Sequence, residues 1–221
     1  MKNLLSKIVS LIYENSCLIC NQSSGVALVC KACEKEFVER KENYIKIFDK
    51  VTAYSWALYD GKLRTGILEL KAGKKKLANY FGEKLVNFWN KIPEKIKNTD
   101  YMVIPVPSHK KRIKERGYCQ SSLIASKFAE SFGMKFSNGL VRRIKETKYM
   151  NSLKDINERQ ENIKNAFDIS KQDIEVKNIL IIDDILTSGS TLCELAKTIH
   201  AKYPDINLTA LTIASGDTYD L

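Results

Sequence analysis

The residues best suited to chemistry in this 221-residue chain are two adjacent carboxylates, Asp183 and Asp184, and the loop that follows them. The apolar run at residues 179–182 predicts a parallel strand buried on both faces. A hydroxyl-rich loop then surrounds Gly189, and apolar spacing from Leu192 onward predicts a helix. Backbone amides at a helix N-terminus bind phosphate. Carboxylates repel a phosphate unless they bind hydroxyls or a metal instead. A sugar 5-phosphate with free ribose hydroxyls therefore fits both the loop, through its phosphate, and the acid pair, through its hydroxyls.

This pattern resembles the signature of type I phosphoribosyltransferases, which bind phosphoribosyl pyrophosphate (PRPP). The resemblance implies that the acids hold the ribose hydroxyls and that the loop wraps the 5-phosphate. In an active enzyme the two acids would also be the catalytic residues. The PRPP-binding set that it implies is Asp183, Asp184, Leu186, Thr187, Ser188, Gly189, Ser190 and Thr191. The motif is specific to PRPP or ribose phosphates but not to a reaction.

Four cysteines near the N-terminus have the spacing of a metal site. Cys17-x2-Cys20 and Cys30-x2-Cys33 are nine residues apart, and two such knuckles complete a closed tetrahedral Zn²⁺ site. With four protein ligands the site is predicted to be structural, and metal binding would supply the folding stability of this small module. In a cytoplasmic protein, paired cysteines indicate metal rather than disulfides.

Charge and apolar patterning set the expected compartment and partners. Hydrophobic residues at 44% and charged residues at 28% are ordinary for a globular protein, but the net charge of +10 indicates a polyanionic partner or an anionic membrane face. Residues 61–98 alone carry ten Lys or Arg against three Glu, and a purely solvated basic face is the alternative interpretation. No apolar stretch approaches the roughly 20 residues of a membrane span.

The N-terminal segment is predicted to be a short amphipathic helix. Leu4, Leu5, Ile8, Val9 and Ile12 recur at helical spacing without a signal-peptide core or cleavage site. Packing on the protein is the first interpretation, and peripheral contact with the inner membrane is the second. The expected location is therefore the cytoplasm.

The remaining pattern alternates strands and helices. Strands are predicted at residues 51–59, 102–106 and 208–213, and helices at 34–40, on both sides of Ala72-Gly73, and at 121–132. This alternation predicts an α/β fold with a parallel sheet and helices on both faces. The fold class is therefore a parallel-sheet, type I phosphoribosyltransferase-like domain after a small four-cysteine zinc module. The expected division is 1–50 for the N-terminal helix and zinc module and 51–221 for the main domain, with 51–100 as a basic helical portion.

The order of motifs resembles the ComF (ComFC-type) family of competence proteins. After the four cysteines come Tyr59-Asp60-Gly61, Leu70-Lys71-Ala72-Gly73, Pro105-Val106-Pro107, Arg116-Gly117-Tyr118 and the Asp183 motif. Two positions depart from the family pattern, Cys119 and Met150. The resemblance implies Mg²⁺ with PRPP and a role in natural transformation, handling DNA that enters as a single strand.

Further site residues follow from this resemblance. The pyrophosphate would contact Ser108, His109, Lys110, Lys111 and Arg112. For His109, a loop histidine without a special role is the alternative. Residues 142–165 would form the flexible loop, with Arg142, Arg143, Lys145 and Arg159 closing over the site. The basic residues of the helical portion are expected on the outer faces of its helices. The single-stranded DNA surface would include Lys71, Lys74, Lys75, Lys76, Arg112 and Arg116.

Two functional classes remain open on the sequence. The first is a DNA-handling factor for natural transformation with a PRPP site, whose partners are PRPP, single-stranded DNA and other competence proteins or the inner membrane face. The second is a phosphoribosyltransferase of nucleobase salvage. The chain offers no recognisable acceptor pocket, which favours the first and leaves the enzymatic reaction undefined.

Overall fold

The computed structural model describes residues 15–40, 45–48, 50–97, 99–147, 156–170 and 174–216. The predicted N-terminal helix lies outside these residues, and so do residues 148–155 of the predicted flexible loop, including Met150. Within the described part of the chain, no helix is both long enough and apolar enough to cross a membrane.

The first half of the chain contains a short helix, two strands and three further helices. In chain order these are α1 (Lys31–Lys35), β1 (Ile45–Phe48), β2 (Val51–Leu58), α2 (Gly61–Lys71), α3 (Leu77–Trp89) and α4 (Glu94–Lys97). The predicted pair of helices around Ala72-Gly73 is therefore confirmed. Gly73 has φ of +121°, a backbone conformation that suits glycine at the turn between them.

The second half alternates strands and helices as predicted. Its elements are β3 (Met102–Pro105), α5 (Lys110–Arg116), α6 (Gln120–Phe132), β4 (Lys135–Phe136), β5 (Val141–Arg143), α7 (Ile156–Ile163), β6 (Phe167–Ile169), β7 (Asn178–Leu186), α8 (Ser190–Lys202) and β8 (Asn207–Ser215). The predicted pyrophosphate residues 108–112 lead into helix α5, and the predicted flexible loop at residues 142–165 contains helix α7.

The main sheet has the order β1-β2-β8-β7-β3-β4. Only β1 is antiparallel to its neighbour, so five strands are parallel and the predicted α/β class is confirmed. The carboxyl ends of parallel strands meet at one edge of the sheet, which is where such folds bind ligands. Strands β5 and β6 form a separate antiparallel pair.

The two faces of the sheet are covered by different helices. Alternate residues of β7 point to opposite faces, with Leu180 and Ile182 in one buried cluster and Ile179 and Ile181 in the other. The first cluster includes residues of α2, α3 and α6, and the second includes residues of α7 and α8. The prediction of a strand buried on both faces is confirmed.

The cysteine-containing segment packs onto helix α2 within the first cluster. Cys17, Ile19 and Cys33 are buried there. A Cβ added at Gly66 would lie 2.9 Å from Ile19 Cδ1 and 3.1 Å from Phe81 Cζ, so only glycine permits this approach without a shift. The ammonium of Lys74 donates to the Leu18 carbonyl at 2.9 Å. The position of α2 therefore depends on this segment.

The predicted helix at residues 34–40 is wrong beyond its first residues. Helix α1 ends at Lys35, and the chain then runs antiparallel beside β2. The amide of Arg40 donates to the Trp56 carbonyl at 2.9 Å, and the amide of Leu58 donates to the Val38 carbonyl at 2.9 Å. The part of β2 after Tyr54 lies beyond the pairing with β1 and offers these partners, and this tertiary pairing overrides the local helical pattern.

Candidate functional site

The acid pair lies within strand β7, which continues to Leu186, rather than after the strand as the apolar run alone suggests. Adjacent residues of a strand point to opposite faces, so the two carboxylates meet different neighbours. Asp184 is only 4% exposed, whereas Asp183 is half-buried and lines a shallow pocket with Thr187, Gly189 and Thr191. The two acids are therefore not equivalent.

Asp184 is held by two side chains from different helices. The ammonium Nζ of Lys71 lies 2.8 Å from Asp184 Oδ2, and Gln120 Nε2 donates to the same oxygen at 3.4 Å. The Gln120 side chain in turn accepts a hydrogen bond from Arg116. The sequence predicts Lys71 on the outer, DNA-binding face of the basic helices. In the structure its ammonium instead pairs with Asp184, because Lys71 ends α2 beside the sheet edge.

Asp183 accepts two hydrogen bonds at a single oxygen. The hydroxyl of Ser121 and the backbone N–H of Asp184 both donate to Asp183 Oδ1, each at 2.9 Å. Burial and the neighbouring Asp184 carboxylate raise the pKa of Asp183 to about 8. Burial also works to raise the pKa of Asp184, but the Lys71 ammonium outweighs it and the pKa is lowered. Lys71 thus favours the ionised form of Asp184, whereas Asp183 keeps its proton to a higher pH.

The loop after β7 leads into the N-terminus of helix α8. Gly189 has φ of +73° and is the N-cap residue, and the hydroxyls of Ser188 and Ser190 lie 2.8 Å apart. The first helical hydrogen bond runs from the Cys193 amide to the Gly189 carbonyl at 2.9 Å. The preceding amides have no partner within the helix and carry its positive dipole end. This loop can hold a phosphate beside Asp183.

The basic stretch after β3 lies at the same sheet edge but has its own partners. Pro105 is in register with Ile182, just before the acid pair. His109 Nδ1 accepts a hydrogen bond from the Lys111 amide and so caps helix α5. The Lys111 ammonium lies 2.8 Å from Glu146 Oε1, and Arg112 Nη2 donates to the Thr147 carbonyl at 2.7 Å. These contacts tie α5 to the start of the predicted flexible loop.

The other two predicted pyrophosphate residues are placed at the beginning of α5. Ser108 receives a weak hydrogen bond from the Cys119 thiol, with Sγ and Oγ 3.4 Å apart. Lys110 is the first residue of α5 and is exposed. Cys119 therefore contacts the loop that carries Ser108.

The predicted flexible loop begins on strand β5 and ends just before β6, the strand that pairs with β5. Arg143 approaches the site: its guanidinium lies over the Phe167 ring and donates to Thr147, and burial together with Arg112 lowers its pKa to about 10. Arg142 is exposed and faces Asp168 at 3.5 Å. Lys145 donates to two backbone carbonyls at the end of α7, and Arg159 lies within α7. The Asp183 carboxylate opposes this lowering of the Arg143 pKa.

The four N-terminal cysteines converge as their spacing predicts. All four sulfur atoms, from Cys17, Cys20, Cys30 and Cys33, lie within 4.8 Å of one another. Cys17 and Cys33 are 3.9 Å apart at Sγ, and Cys20 and Cys30 are 3.7 Å apart. Zn–S bonds of about 2.3 Å require tetrahedral S–S edges of about 3.8 Å. The donor set and its geometry therefore fit a metal such as Zn²⁺.

The backbone around the cysteines favours thiolates. The amides of Ile19 and Cys30 each point at Cys17 Sγ from 3.4 Å. Burial opposes ionisation of Cys17, but these N–H donors outweigh it and lower its pKa to about 6. Burial and the hydrogen bonds within the cluster raise the pKa of Cys33. Metal ligands must be deprotonated, so the lowered pKa of Cys17 favours metal binding, whereas Cys33 has to release its proton when a metal binds.

The predicted DNA-binding lysines differ in their contacts and exposure. Lys74 contacts the cysteine module and pairs with Glu69 at 3.1 Å. Two other lysines of the basic portion pair with acids near the cysteines, Lys84 with Glu34 at 2.9 Å and Lys91 with Glu39 at 2.7 Å. Lys75 and Lys76 are exposed. Part of the excess charge therefore holds the cysteine module in place.

Two residues of the site are missed by sequence reasoning, Gln120 and Ser121. Both are buried at the start of α6 and hold the acid pair, yet in the sequence they belong to an ordinary amphipathic helix. Polar residues at apolar-face positions of that helix, next to Arg116-Gly117, are the signal that could have identified them.

Comparison with known proteins agrees with this geometry. Residues 129–220, which carry the acid pair and the loop, match the family model of the phosphoribosyl transferase domain. Competence protein F of Haemophilus influenzae is 33% identical over 100 residues, 44% of this chain and 43% of that protein. Competence protein ComFC of Bacillus subtilis is 25% identical over 201 residues, 89% of this chain and 76% of that protein.

Further matches are more distant or partial. The DNA utilization protein YhgH of Salmonella typhi is 30% identical over 95 residues, 43% of this chain and 41% of that protein. The chain thus spans less than half the length of two of these relatives. A Helicobacter pylori xanthine-guanine-hypoxanthine phosphoribosyltransferase has a TM-score of 0.38 at 14% identity, with 62% of this chain and 77% of that chain covered.

The parallel sheet, the acid pair and the loop before α8 agree with the match of residues 129–220 to the phosphoribosyl transferase domain. The same chain carries the N-terminal cysteine cluster and is similar to the proteins named competence protein F, ComFC and YhgH.

The unequal environments of the acids predict opposite effects on stability. The pKa of Asp183 rises from about 3.9 unfolded to about 8 folded. Between these values only the folded state keeps the proton, so stability falls as pH rises through that window. Asp183→Asn removes this loss and should stabilise the protein more at pH 9 than at pH 5. Asp184→Asn leaves the Lys71 ammonium without its carboxylate and should destabilise by about 1–3 kcal/mol.

Urea unfolding of both variants at pH 5 and pH 9 checks these signs. Equal changes for the two variants at pH 9 would contradict the assignment of different roles to the two carboxylates.

Proposed function

We propose that this protein is a DNA-handling factor for natural transformation that binds PRPP with Mg²⁺ and holds a structural zinc ion. The observation that carries the proposal is the arrangement of Asp183 beside the amide-rich loop before α8, in a chain whose relatives are named competence proteins. On this proposal the protein works in the cytoplasm, where incoming single strands arrive, in contact with other competence proteins or with the inner membrane face.

The proposed PRPP site uses both ends of the ligand. The 5-phosphate lies on the loop of Thr187, Ser188, Gly189, Ser190 and Thr191, where free amides and hydroxyls donate to its oxygens. Asp183 accepts hydrogen bonds from the ribose hydroxyls, because its two hydrogen bonds from the protein both go to Oδ1. Leu186 is buried beneath the loop and supports it.

The proposed pyrophosphate contacts come from the basic groups beside the acids. Lys110 is exposed at the start of α5, and Arg143 and Arg112 bring two guanidinium groups near Asp183 and Thr147. When bound, Mg²⁺ would neutralise phosphate charge. Lys111 lies opposite Glu146, so release of that ion pair would accompany any contact with pyrophosphate.

The proposed division of the chain assigns the metal and the DNA surface to neighbouring parts. Residues 1–50 form the zinc module and residues 51–221 the phosphoribosyltransferase-like domain. The exposed Lys75 and Lys76 follow α2 and lie next to the module that Lys74 contacts. A flexible single strand can follow such a basic surface without sequence preference.

Charge reversal of the exposed lysines tests the DNA surface. Lys75→Glu with Lys76→Glu should weaken binding of single-stranded DNA for all sequences and reduce the salt slope by roughly 1.4, since each lost phosphate contact removes about 0.7. Fluorescence anisotropy at several salt concentrations measures both. Lys135→Glu with Lys177→Glu is the matched control at exposed positions outside this surface. Equal losses of DNA affinity in the two double variants would contradict the proposed DNA surface.

Nucleobase salvage is the competing function and is tested by turnover. We expect no transfer from PRPP to adenine, guanine, hypoxanthine, uracil or orotate at enzyme-like rates, because no acceptor pocket was identified in the sequence. Mass analysis of reactions with each base measures this. Turnover of any of them at about 1 per second or faster would replace the proposed function with salvage.

A further inference from the structure

The Lys71–Asp184 ion pair places a protein cation inside the proposed ribose site. The two charged atoms, Lys71 Nζ and Asp184 Oδ2, lie 2.8 Å apart, and the side chains are 28% and 6% exposed. Gln120 donates to the same oxygen. A carboxylate oxygen accepts about two hydrogen bonds, so Asp184 Oδ2 has little capacity left for a ligand.

The position of the ammonium is fixed by contacts along helix α2. Gly66 packs against Ile19 and Phe81, and the hydroxyl of Tyr118 donates to the Leu70 carbonyl, one residue before Lys71. Lys71 is the last residue of α2, where a cation also interacts favourably with the helix dipole. Its ammonium is therefore held at the acid pair from a well-packed helix.

This cation changes what the acid pair can bind. Two adjacent carboxylates would attract a divalent cation, but an ammonium at 2.8 Å supplies the compensating charge already. Arg116 adds positive charge behind Gln120. A free metal ion approaching Asp183 would meet the repulsion of Lys71 as well as the attraction of the acids.

We infer that Lys71 is a resident cation of the acid pair, which occupies Asp184, keeps free divalent cations off the site and leaves Asp183 as the acid that contacts the ligand. Asp184 then acts as a positioning residue through Lys71. The inference rests on the proposed PRPP site, but its direct consequence concerns the metal alone. Removing the ammonium should turn the acid pair into a divalent-cation site.

Binding of Mn²⁺ alone to the zinc-loaded protein, followed by electron paramagnetic resonance without PRPP, tests this consequence. Lys71→Met should bind Mn²⁺ at least about tenfold more tightly than the unaltered protein, since one like charge is removed beside the acids. Lys71→Arg keeps the charge and should bind as weakly as the unaltered protein. Lys135→Met, at an exposed lysine of β4, is the control for loss of a surface charge.

Two further variants keep the test decisive. Lys71→Gln retains a hydrogen-bond donor for Asp184 without the charge and should show the same gain if Lys71→Met is poorly folded. Adding Asp184→Asn to either neutral variant should remove the gain. Unchanged Mn²⁺ affinity in the folded neutral variants, or an equal gain in Lys71→Arg, would overturn the inference.

A parallel PRPP titration separates this result from the proposed function. If Mn²⁺ affinity rises in the neutral variants while the unaltered protein binds no PRPP, the inference about Lys71 is supported and the proposed function is rejected. If PRPP binds but Mn²⁺ affinity does not change, the proposed function stands and the resident cation is rejected.

Discussion

Replacing Cys20 with serine is expected to release the bound metal and to lower the melting temperature strongly. Cys20 Sγ lies 3.7 Å from Cys30 Sγ in the four-sulfur cluster, and serine cannot supply a thiolate. In small modules the apparent free energy of zinc binding, about 10–16 kcal/mol, is coupled to folding. One of the four ligands accounts for about a quarter of this free energy, or about 3 kcal/mol. In a protein of this size that loss corresponds to roughly 6–12 °C.

The effect should extend beyond the cysteine module. Ile19 packs against Gly66 of helix α2, and the Leu18 carbonyl accepts a hydrogen bond from Lys74 in the turn after α2. Helix α2 in turn carries Lys71 to the acid pair. Loss of the metal should therefore also weaken ligand binding at Asp183. Metal analysis, thermal melting and PRPP titration of the same sample measure the three consequences.

Cys193→Ser is the matched control for the metal prediction. Cys193 lies in α8 outside the four-sulfur cluster, so this variant should retain about one zinc ion and its melting temperature. Purified protein without zinc, together with four freely reactive thiols in the native state, would contradict the metal assignment.

Replacing Gly189 with valine is expected to abolish PRPP binding. Gly189 has φ of +73° as the N-cap residue of α8 and lines the pocket beside Asp183. A β-branched residue is strongly disfavoured at that φ, so the loop must change conformation and its amides no longer converge. Loss of several donors to one phosphate, at about 1.5–3 kcal/mol for each charged hydrogen bond, predicts a loss of at least about 100-fold.

Isothermal titration with PRPP and Mg²⁺ measures this loss. Gly139→Ala is the control, because Gly139 does not have positive φ and a Cβ there meets no atom within 4 Å. The zinc content and melting curve of Gly189→Val distinguish a local loop change from unfolding. Unaltered affinity in a folded Gly189→Val protein would mean that the phosphate does not contact this loop.

Much of the fold could be predicted because, in several segments, the local sequence pattern agrees with the position that the segment takes in the folded protein. The continuous apolar run at residues 179–182 can be buried only on both faces of a sheet, and that strand is central in the structure. The spacing of the two cysteine pairs predicts that their four sulfur atoms converge, because a tetrahedral metal site needs four ligands around one ion. Helices α2 and α3 follow from apolar spacing, and Ala72-Gly73 marks the turn between them.

The remainder depended on contacts between segments distant in sequence. Residues 38–40 resemble a helix locally but pair with the second half of β2, and nothing in the sequence shows that β1 leaves this half unpaired. Lys71 is one lysine among ten basic residues, and nothing in its local pattern distinguishes a lysine that faces solvent from one that reaches a carboxylate 113 positions later. Gln120 and Ser121 were missed for the same reason, since their partners lie on β7.

Isothermal titration of PRPP into the unaltered protein and into Asp183→Asn, both with Mg²⁺, tests the central claim most directly. Both titrations are made at pH 9, above the pKa of about 8 that burial and Asp184 give Asp183, so this carboxyl is ionised in the unaltered protein. Asp183→Asn keeps the shape of the side chain and is expected to be at least as stable as the unaltered protein at that pH, so lost binding cannot be attributed to unfolding. We expect one PRPP per chain in the unaltered protein and an affinity at least about tenfold weaker in Asp183→Asn, from one charged hydrogen bond. Equal affinities, or no PRPP binding by the zinc-loaded unaltered protein, would contradict the claim.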